Sequence, residues 1–327
     1  VIIVTGGAGF IGSAIVAALN SRGADDILIV DILGSDEKWK NLRRLRYADY
    51  VEADEFFDML TAGEVDWPVE TVFHMGACSD TTETDCSYLV RNNYDFSKLL
   101  ANWAVESNAR FIYASSAATY GDGEQGFDDN EDEIDKLVPL NMYGYSKQMF
   151  DLWARRAGLL DNVVGIKFFN VFGPNEYHKA NMRSFVIKAF EQINEKGSVG
   201  LFKSYNDKYG DGGQLRDFIY VKDAVDMTLF FMDKPKLAGI YNVGTGKARN
   251  WNDLARATFA AMGREPKIEY VDMPETLKAK YQYFTQADIT KIRKAGYKTE
   301  TTTLEAAITD YVQNYLVKNE HLGAESF

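Results

Sequence analysis

A β-branched run, Val1-Ile2-Ile3-Val4-Thr5, breaks into Gly6-Gly7-Ala8-Gly9-Phe10-Ile11-Gly12 and resumes as Ser13-Ala14-Ile15-Val16-Ala17-Ala18-Leu19. A strand, a glycine turn and a helical pattern in that order leave few folds open. Gly6, Gly9 and Gly12 permit a tight turn, close approach of backbone to a pyrophosphate, and close helix–strand packing. The start of the helix then offers free amides and the positive end of its dipole to phosphates. A second apolar run, Ile27–Val30, ends in Asp31. That is about 20 residues beyond the glycines, where a dinucleotide fold sets its ribose-binding carboxylate.

A second constellation is Asn141-Met142-Tyr143-Gly144-Tyr145-Ser146-Lys147. Tyr143 and Lys147 are four apart, so on a helix they share a face. Bringing a phenol from about 10 to about 7 takes roughly 4 kcal/mol of preference for the phenolate. An ammonium about 4–5 Å away supplies roughly 3–4 kcal/mol at an effective dielectric near 20. The pair is thus large enough to act as an acid/base on a hydroxyl. On its own the spacing also fits two side chains on a solvated helix face.

The strands Val1–Thr5, Asp26–Val30, Thr71–His74, Arg110–Ala114 and Val163–Phe168 alternate with helices Phe10–Ser21, Asn92–Asn108 and Tyr143–Ala157. This rhythm predicts an α/β fold, a Rossmann doubly wound parallel sheet, with ligands beyond the carboxyl ends of the strands. Beyond Asn170 the rhythm breaks into short apolar runs, which points to a smaller, interleaved C-terminal substrate-binding domain. The expected division is residues 1–169, with returns near 215–245, for the cofactor, and 170–214 with 246–327 mainly for the substrate. The acidic stretch Asp122–Asp135 reads as a solvated loop or as a lid, since it lies between Ser116 and Tyr143.

The chain of 327 residues carries a net charge of −12, which argues against a general nucleic-acid binder. No apolar stretch is long enough for a bilayer and no charged-then-apolar leader precedes the first strand, so a chain lacking only its initiator methionine is expected. Cys78 and Cys86 are too few for a disulfide scaffold, and a reducing cytoplasm is expected. His74, His178 and His321 have no metal-ligand spacing, and no metal is expected.

Together these features resemble the extended short-chain dehydrogenase/reductase superfamily over nearly the whole chain. The glycine loop looks like its cofactor loop, Tyr113–Gly121 like the segment bearing its catalytic serine (here Ser116), and Tyr143 with Lys147 like its dyad. Arg216-Asp217-Phe218-Ile219-Tyr220-Val221-Lys222-Asp223 and Tyr241–Gly246 look like its later segments. Three further strings are similar to the ADP-L-glycero-D-manno-heptose 6-epimerase family: Gly76–Glu83, Gly173–Met182 and Tyr281–Asp288. That resemblance implies a nucleotide-linked heptose as substrate, bound NADP as redox cofactor, and inversion at C6 through a transient ketone, in lipopolysaccharide inner-core precursor synthesis. It also implies a homo-oligomer.

By the same resemblance Tyr143, Ser116 and Lys147 handle one face of the reacting carbon. Lys147 would lower the tyrosine and hold the cofactor ribose, and Lys179 is the second acid/base; a diphosphate contact or a solvated lysine is its alternative. Gly6, Gly9, Phe10, Ile11, Gly12, Asp31, Ile32, Lys38, the turn Met75-Gly76-Ala77-Cys78-Ser79, Asn92 and Val171 align with cofactor contacts. Ser79, Ser116, Asn170, Asn181, Lys188, Phe202, Lys203, Ser204, Tyr205, Arg216 and Tyr281 align with substrate contacts. Arg216 suits a diphosphate, or else pairs with a neighbour such as Asp217. The chain departs from the family pattern at Ile32, Ala53, Asn181 and Lys188 and in the longer segment Tyr205–Gln214. Asp31 by itself favours NAD, whereas Lys38 and Arg43 or Arg44 would favour NADP, so both cofactors stay open. The rival readings are an enzyme like a UDP-hexose 4-epimerase, less readily a dehydratase, and a non-catalytic nucleotide-binding scaffold.

Overall fold

Alternate residues of each early strand are apolar on opposite faces, and the computed structural model, which describes residues 1–278 and 281–327, closes both faces with helices. The elements begin β1 (Ile2–Thr5), α1 (Phe10–Ser21), β2 (Ile27–Asp31), β3 (Asp49–Glu52), α2 (Ala53–Ala62), β4 (Thr71–His74), α3 (Cys86–Val90), α4 (Phe96–Glu106) and β5 (Arg110–Ser116). They go on through α5 (Met142–Arg156), β6 (Val164–Phe168), β7 (Asn170–Phe172), α6 (Phe185–Lys196), β8 (Val199–Phe202), β9 (Leu215–Arg216) and β10 (Phe218–Tyr220). After these come α7 (Val221–Met232), β11 (Gly239–Val243), β12 (Arg249–Asn250), α8 (Trp251–Ala261) and β13 (Ile268–Val271).

Seven strands form one parallel sheet in the order β11-β6-β5-β4-β1-β2-β3. The chain leaves β1 for β2 on one side and returns to β4 on the other. That reversal places the ends of β1 and β4 at the crevice where such sheets bind ligands. Ile2, Val4, Ile29, Phe73 and Ile166 pack against α1 and α7, while Ile3, Val30, Val72 and Phe111 pack against α2, α4 and α5. The period of two along each strand is therefore spent on two separate cores.

Of the two returns expected from the second half, Tyr241 lies in β11 of the main sheet. Ile219 does not: β10 pairs with β7, Phe218 opposite Asn170, as a separate two-stranded sheet. The expectation of a broken rhythm beyond Asn170 also misses three helices of 11–12 residues, α6, α7 and α8. The apolar faces of α6 and α8 meet β8 in a small core of Ala189, Ile193, Val199, Leu201, Ala255 and Phe259.

The acidic stretch runs largely exposed, as a solvated loop should, but it is pinned at two points. Asp129 is 2% exposed, and Ile134 is buried in the core under α5. β11 is the last strand of the sheet, and its outward N–H groups are taken by carboxylates: Ile240 N–H donates to Glu131 and Asn242 N–H to Asp129 at 2.7 Å. Lys291 completes the row by donating to the Ile240 carbonyl at 2.8 Å while pairing with Glu131.

Candidate active site

Gly6 adopts φ +66°, and a methyl group there would meet Gly76 N at 2.7 Å. A Cβ on Gly12 would lie 2.0 Å from the Gly6 carbonyl oxygen, so α1 rests directly on the turn. The helix has no side-chain cap and no acidic residue in its first turn. Its first amides are therefore left for an anion.

A cavity of about 390 Å³ opens here, lined by Gly6, Gly9–Gly12, Asp31, Lys38, Met75–Ser79, Ala114 and the segment His178–Ala180. An adjoining hollow of about 320 Å³ shares Gly6, Asp31, Lys38 and Gly76 and adds Ile32, Ala53 and Asn92. Most of the expected cofactor residues thus come together; Val171, half-buried in β7, lines neither space, and neither do Tyr143 and Lys147.

Asp31 is buried, and both its oxygens are engaged. One accepts from Ala8 N–H at 2.8 Å; the other accepts from Ile32 N–H at 2.7 Å and from Lys38 Nζ at 3.0 Å. Of the three bases expected to offset its charge, Lys38 alone reaches it. Arg43 lies over the Trp39 ring, and Arg44 pairs with Glu320 and Glu325.

The turn after β4 is fixed by a residue that sequence reasoning passed over in favour of its neighbour Asn92. Asn93, 1% exposed, accepts from Cys78 N–H at 2.8 Å and donates to Cys78 O at 2.9 Å and to Ser146 Oγ at 3.0 Å. It lies in a π-helical turn, Arg91–Asp95, between α3 and α4. Such bulges recur at functional sites. In sequence only its place beside Asn92 marks it. Behind it, Ser97 donates to Asn93 O at 2.9 Å, so the His74 ring must donate to Ser97 at 2.8 Å and accept from Thr5 at 2.7 Å. Burial holds that ring neutral, its pKa pushed down to about 3.

Tyr143 and Lys147 both lie on α5, whose start is capped by Asn141 accepting from Gly144 N–H at 2.8 Å. Ser116, at the end of β5, caps the following turn by accepting from Ala118 N–H at 3.1 Å, and it stands close enough to the Tyr143 phenol to favour its ionised form. The electrostatics differ from the expectation. Burial pushes the Tyr143 phenol up, and Ser116 opposes that rise only in part. Lys147 does not lower it: its Nζ donates to Ala114 O at 2.9 Å, and burial brings the ammonium down to about 8.

Lys179 stands on the glycine loop, with its Nζ 5.5 Å from the Phe10 ring centre, and burial lowers it against the opposing charge of Glu176. Among the described residues its ammonium has no hydrogen-bonding partner. The next residue, Ala180, has φ 44° and ψ −120°, a strained conformation for a residue with a side chain. Lys188 donates to the Asn181 carbonyl at 2.6 Å, so these two expected contacts lie together beside the lysine loop.

A second cluster gathers around Arg216, which is 7% exposed between the Tyr281 ring at 5.3 Å and the Trp251 ring at 5.8 Å. Phe202 meets Tyr281 edge-on at 6.4 Å. The alternative pairing of Arg216 with Asp217 does not occur. Asp217 accepts from Thr245 N–H, Gly246 N–H and Ala287 N–H at 2.8, 2.9 and 3.0 Å, and Arg216 donates to carbonyls of Leu215 and Gln282. The guanidinium is thus buried without a counter-charge among the described residues, an arrangement suited to an incoming anion. Asn170 is exposed beside it and accepts from Thr285 at 3.4 Å. Lys203 and Tyr205 turn instead to Asp272, at 3.1 and 3.0 Å, and Ser204 Oγ donates to Asn206 O at 2.9 Å. Residues 279–280, within the string that precedes the Tyr281 segment, lie outside the described residues.

Residues 2–244 match the model of the NAD dependent epimerase/dehydratase family. The chain is 56% identical over 314 residues to the ADP-L-glycero-D-manno-heptose-6-epimerase of Nitratidesulfovibrio vulgaris, covering 96% of this chain and 97% of that one. It is 49% identical to the Fusobacterium nucleatum protein of the same name, over 98% and 99% of the two chains. The crystal structure of the Helicobacter pylori ADP-L-glycero-D-manno-heptose-6-epimerase superposes with a TM-score of 0.79 at 27% identity, over 96% of this chain and 95% of that one. The glycine loop, the Ser116–Tyr143 pair and the lysine loop over Phe10 therefore stand in a member of the ADP-L-glycero-D-manno-heptose-6-epimerase family, and the chain is an epimerase.

Proposed function

We propose that this epimerase inverts C6 of the heptose in ADP-D-glycero-D-manno-heptose, with Tyr143 and Lys179 as acid/bases on opposite sides of the reacting carbon. The observation that carries the reading is the single cavity joining the glycine loop to the Lys179 segment. A 4-epimerase of UDP-hexoses has no need of that segment. The glycine loop, Asp31 and Lys38 would hold a nicotinamide cofactor, which would supply the hydride acceptor and donor for C6. Tyr143 takes the hydroxyl proton in its phenolate form, which burial disfavours and Ser116 favours, and Ser116 holds the same oxygen. After the ketone end has turned, Lys179 supplies the proton to the new alkoxide. A lysine lowered by burial and free of a hydrogen-bonding partner is suited to give up a proton. Lys147 contributes positive charge beside Ala114, near the end of β5, and would hold the cofactor ribose. Arg216, held between two rings, suits the diphosphate of the substrate.

In this reading residues 1–169, with the returns between 215 and 245, hold the dinucleotide, and 170–214 with 246–327 hold most of the nucleotide sugar. The cofactor is NADP. Asp31 spends its oxygens on two backbone amides and Lys38, and that ammonium offsets the charge that would repel a 2′-phosphate. The enzyme is a homo-oligomer of the cytoplasm that supplies precursor for the lipopolysaccharide inner core. Among the described residues no helix is long and apolar enough to cross a membrane.

Proton NMR of ADP-D-glycero-D-manno-heptose incubated with purified protein and no added cofactor tests the reaction. The L-glycero epimer is expected; no conversion even with NADP or NAD supplied overturns the substrate. Tyr143→Phe is expected to abolish conversion while leaving nucleotide bound. Mass spectrometry of the released nucleotide decides the cofactor, and predominantly NAD would remove the role given to Lys38.

A further inference from the structure

Behind the Ser116–Tyr143 pair lies an ion pair with almost no exposure, and the reaction as described makes no use of it. Lys167 Nζ on β6 meets Asp151 Oδ2 on α5 at 2.7 Å, with side chains 1% and 0% exposed. Two buried charges are costly, and apolar residues of similar size would serve stability as well or better. The pair therefore calls for a reason other than stability.

Its connections supply one. Asp151 accepts from Tyr113 OH at 2.9 Å through one oxygen and from Ser115 Oγ at 2.7 Å through the other. Lys167 also donates to Thr119 Oγ1 at 2.6 Å, and Thr119 donates to Ser116 O at 2.8 Å. One turn earlier on α5, Lys147 donates to Ala114 O. The last four residues of β5 are thus gripped from α5 at two successive turns and from β6 through Thr119. A slip of one helical turn, about 5.4 Å, would carry Tyr143 away from Ser116.

The groups facing Lys147 are His74 from β4, Cys78 from the turn after β4, and Asp151 from its own helix. His74 is neutral near pH 7, and burial raises the Cys78 thiol. The negative charge among the three is therefore Asp151.

We propose that Asp151 and Lys167 are positioning residues for the epimerisation: the pair holds α5 in register on the end of β5 and gives Lys147 its counter-charge. The proposal rests on the acid/base reading of Tyr143 and Lys147. Without Asp151 the ammonium loses the main charge that opposes its desolvation, so it sheds its proton at lower pH.

The test compares the double variant Asp151→Asn/Lys167→Met, which removes both charges, with Ser115→Ala, which cuts one tether and leaves the pair. For the folded double variant kcat is expected to fall roughly tenfold or more. KM for the nucleotide sugar should stay near that of the unmodified enzyme. The alkaline limb of kcat should move down by about one pH unit. Ser115→Ala should lose a few-fold in kcat, with its alkaline limb in place. A folded double variant with unchanged kcat, or with a loss equal at every pH, overturns the proposal. If that variant does not fold, Ser115→Ala decides, and an unchanged kcat overturns it. Tyr143→Phe separates the two levels: turnover retained there sinks the acid/base reading itself, whereas a dead Tyr143→Phe beside an unaffected double variant sinks the positioning role alone.

Discussion

A methyl group at residue 12 would sit 2.0 Å from the Gly6 carbonyl oxygen, closer than any side-chain carbon can approach. Gly12→Ala must therefore lift α1 from the turn, the cost of overpacking being about 1–3 kcal/mol. The same shift misplaces the amides at the helix start. The variant is expected to melt lower and to purify without nucleotide; a full complement of nucleotide would count against the loop as its site. Lys179→Met is different in kind. The ammonium makes no hydrogen bond among the described residues, so its loss should leave the melting temperature nearly unchanged while turnover falls roughly 10²–10⁴-fold. Residues of this sort were legible because their chemistry is written locally: glycine spacing, Tyr143 four before Lys147, a serine at a strand end. Asn93, Asp151 and Lys167 were not. Each works through partners 15 or more residues away, such as Cys78 for Asn93 and Asp151 for Lys167. An Asp or Lys inside an apolar stretch does not announce its partner. The electrostatics of the dyad misled for a related reason. Helical spacing places Tyr143 and Lys147 on one face, but it does not say that Ala114 O will claim the ammonium.

The element that sequence reading saw only in part is the acidic segment before α5. Charge and glycine content mark it as solvated, yet two of its carboxylates replace a neighbouring strand for β11. The bond from Asn242 to Asp129 spans 113 residues, beyond anything that local composition reports. Removing both acceptors in Asp129→Ala/Glu131→Ala leaves two strand amides without their acceptors and the Lys291 ammonium without its carboxylate. Each buried amide without a partner costs about 1–3 kcal/mol. A cooperative loss of stability of that order is expected in urea unfolding, with hydrogen exchange accelerated at Ile240 and Asn242; unchanged exchange there would mean that the acceptors are dispensable. Strands β1, β2, β4, β5 and β6 were legible because buried strands read as continuous apolar runs, whereas β3, partly exposed at the edge, was not. Helices α6 and α8 were not, because half of each is polar and their partners form a separate small core.

Across the whole molecule, all three histidines are held neutral by burial: His74 pushed down to about 3, His178 and His321 to about 4. In the unfolded chain each takes up a proton near 6.5, so below that value the unfolded state binds more protons than the folded one. Stability is therefore complete above that range and falls as pH drops through it. Between about pH 7.5 and about pH 6 the three rings together should cost about 2 kcal/mol. Asp129 acts in the opposite sense, since burial raises it to about 6, but it gains its proton only at the lower end of that window. Thermal melts across the window should shift downward with acid, and a flat profile would mean that the rings are solvated.

The covering of β11 reaches further than its own strand. A sheet has two sides, and carboxylates, which can only accept, already fill one of them. The other side is β3, four residues long and flanked by the exposed carboxylates of Asp49 and Glu52. A foreign strand seeking to extend this sheet meets a closed row at one end and a short, negatively charged one at the other. Growth by strand addition, whether in a crowded cell or in a concentrated preparation, has no ready starting place on this sheet.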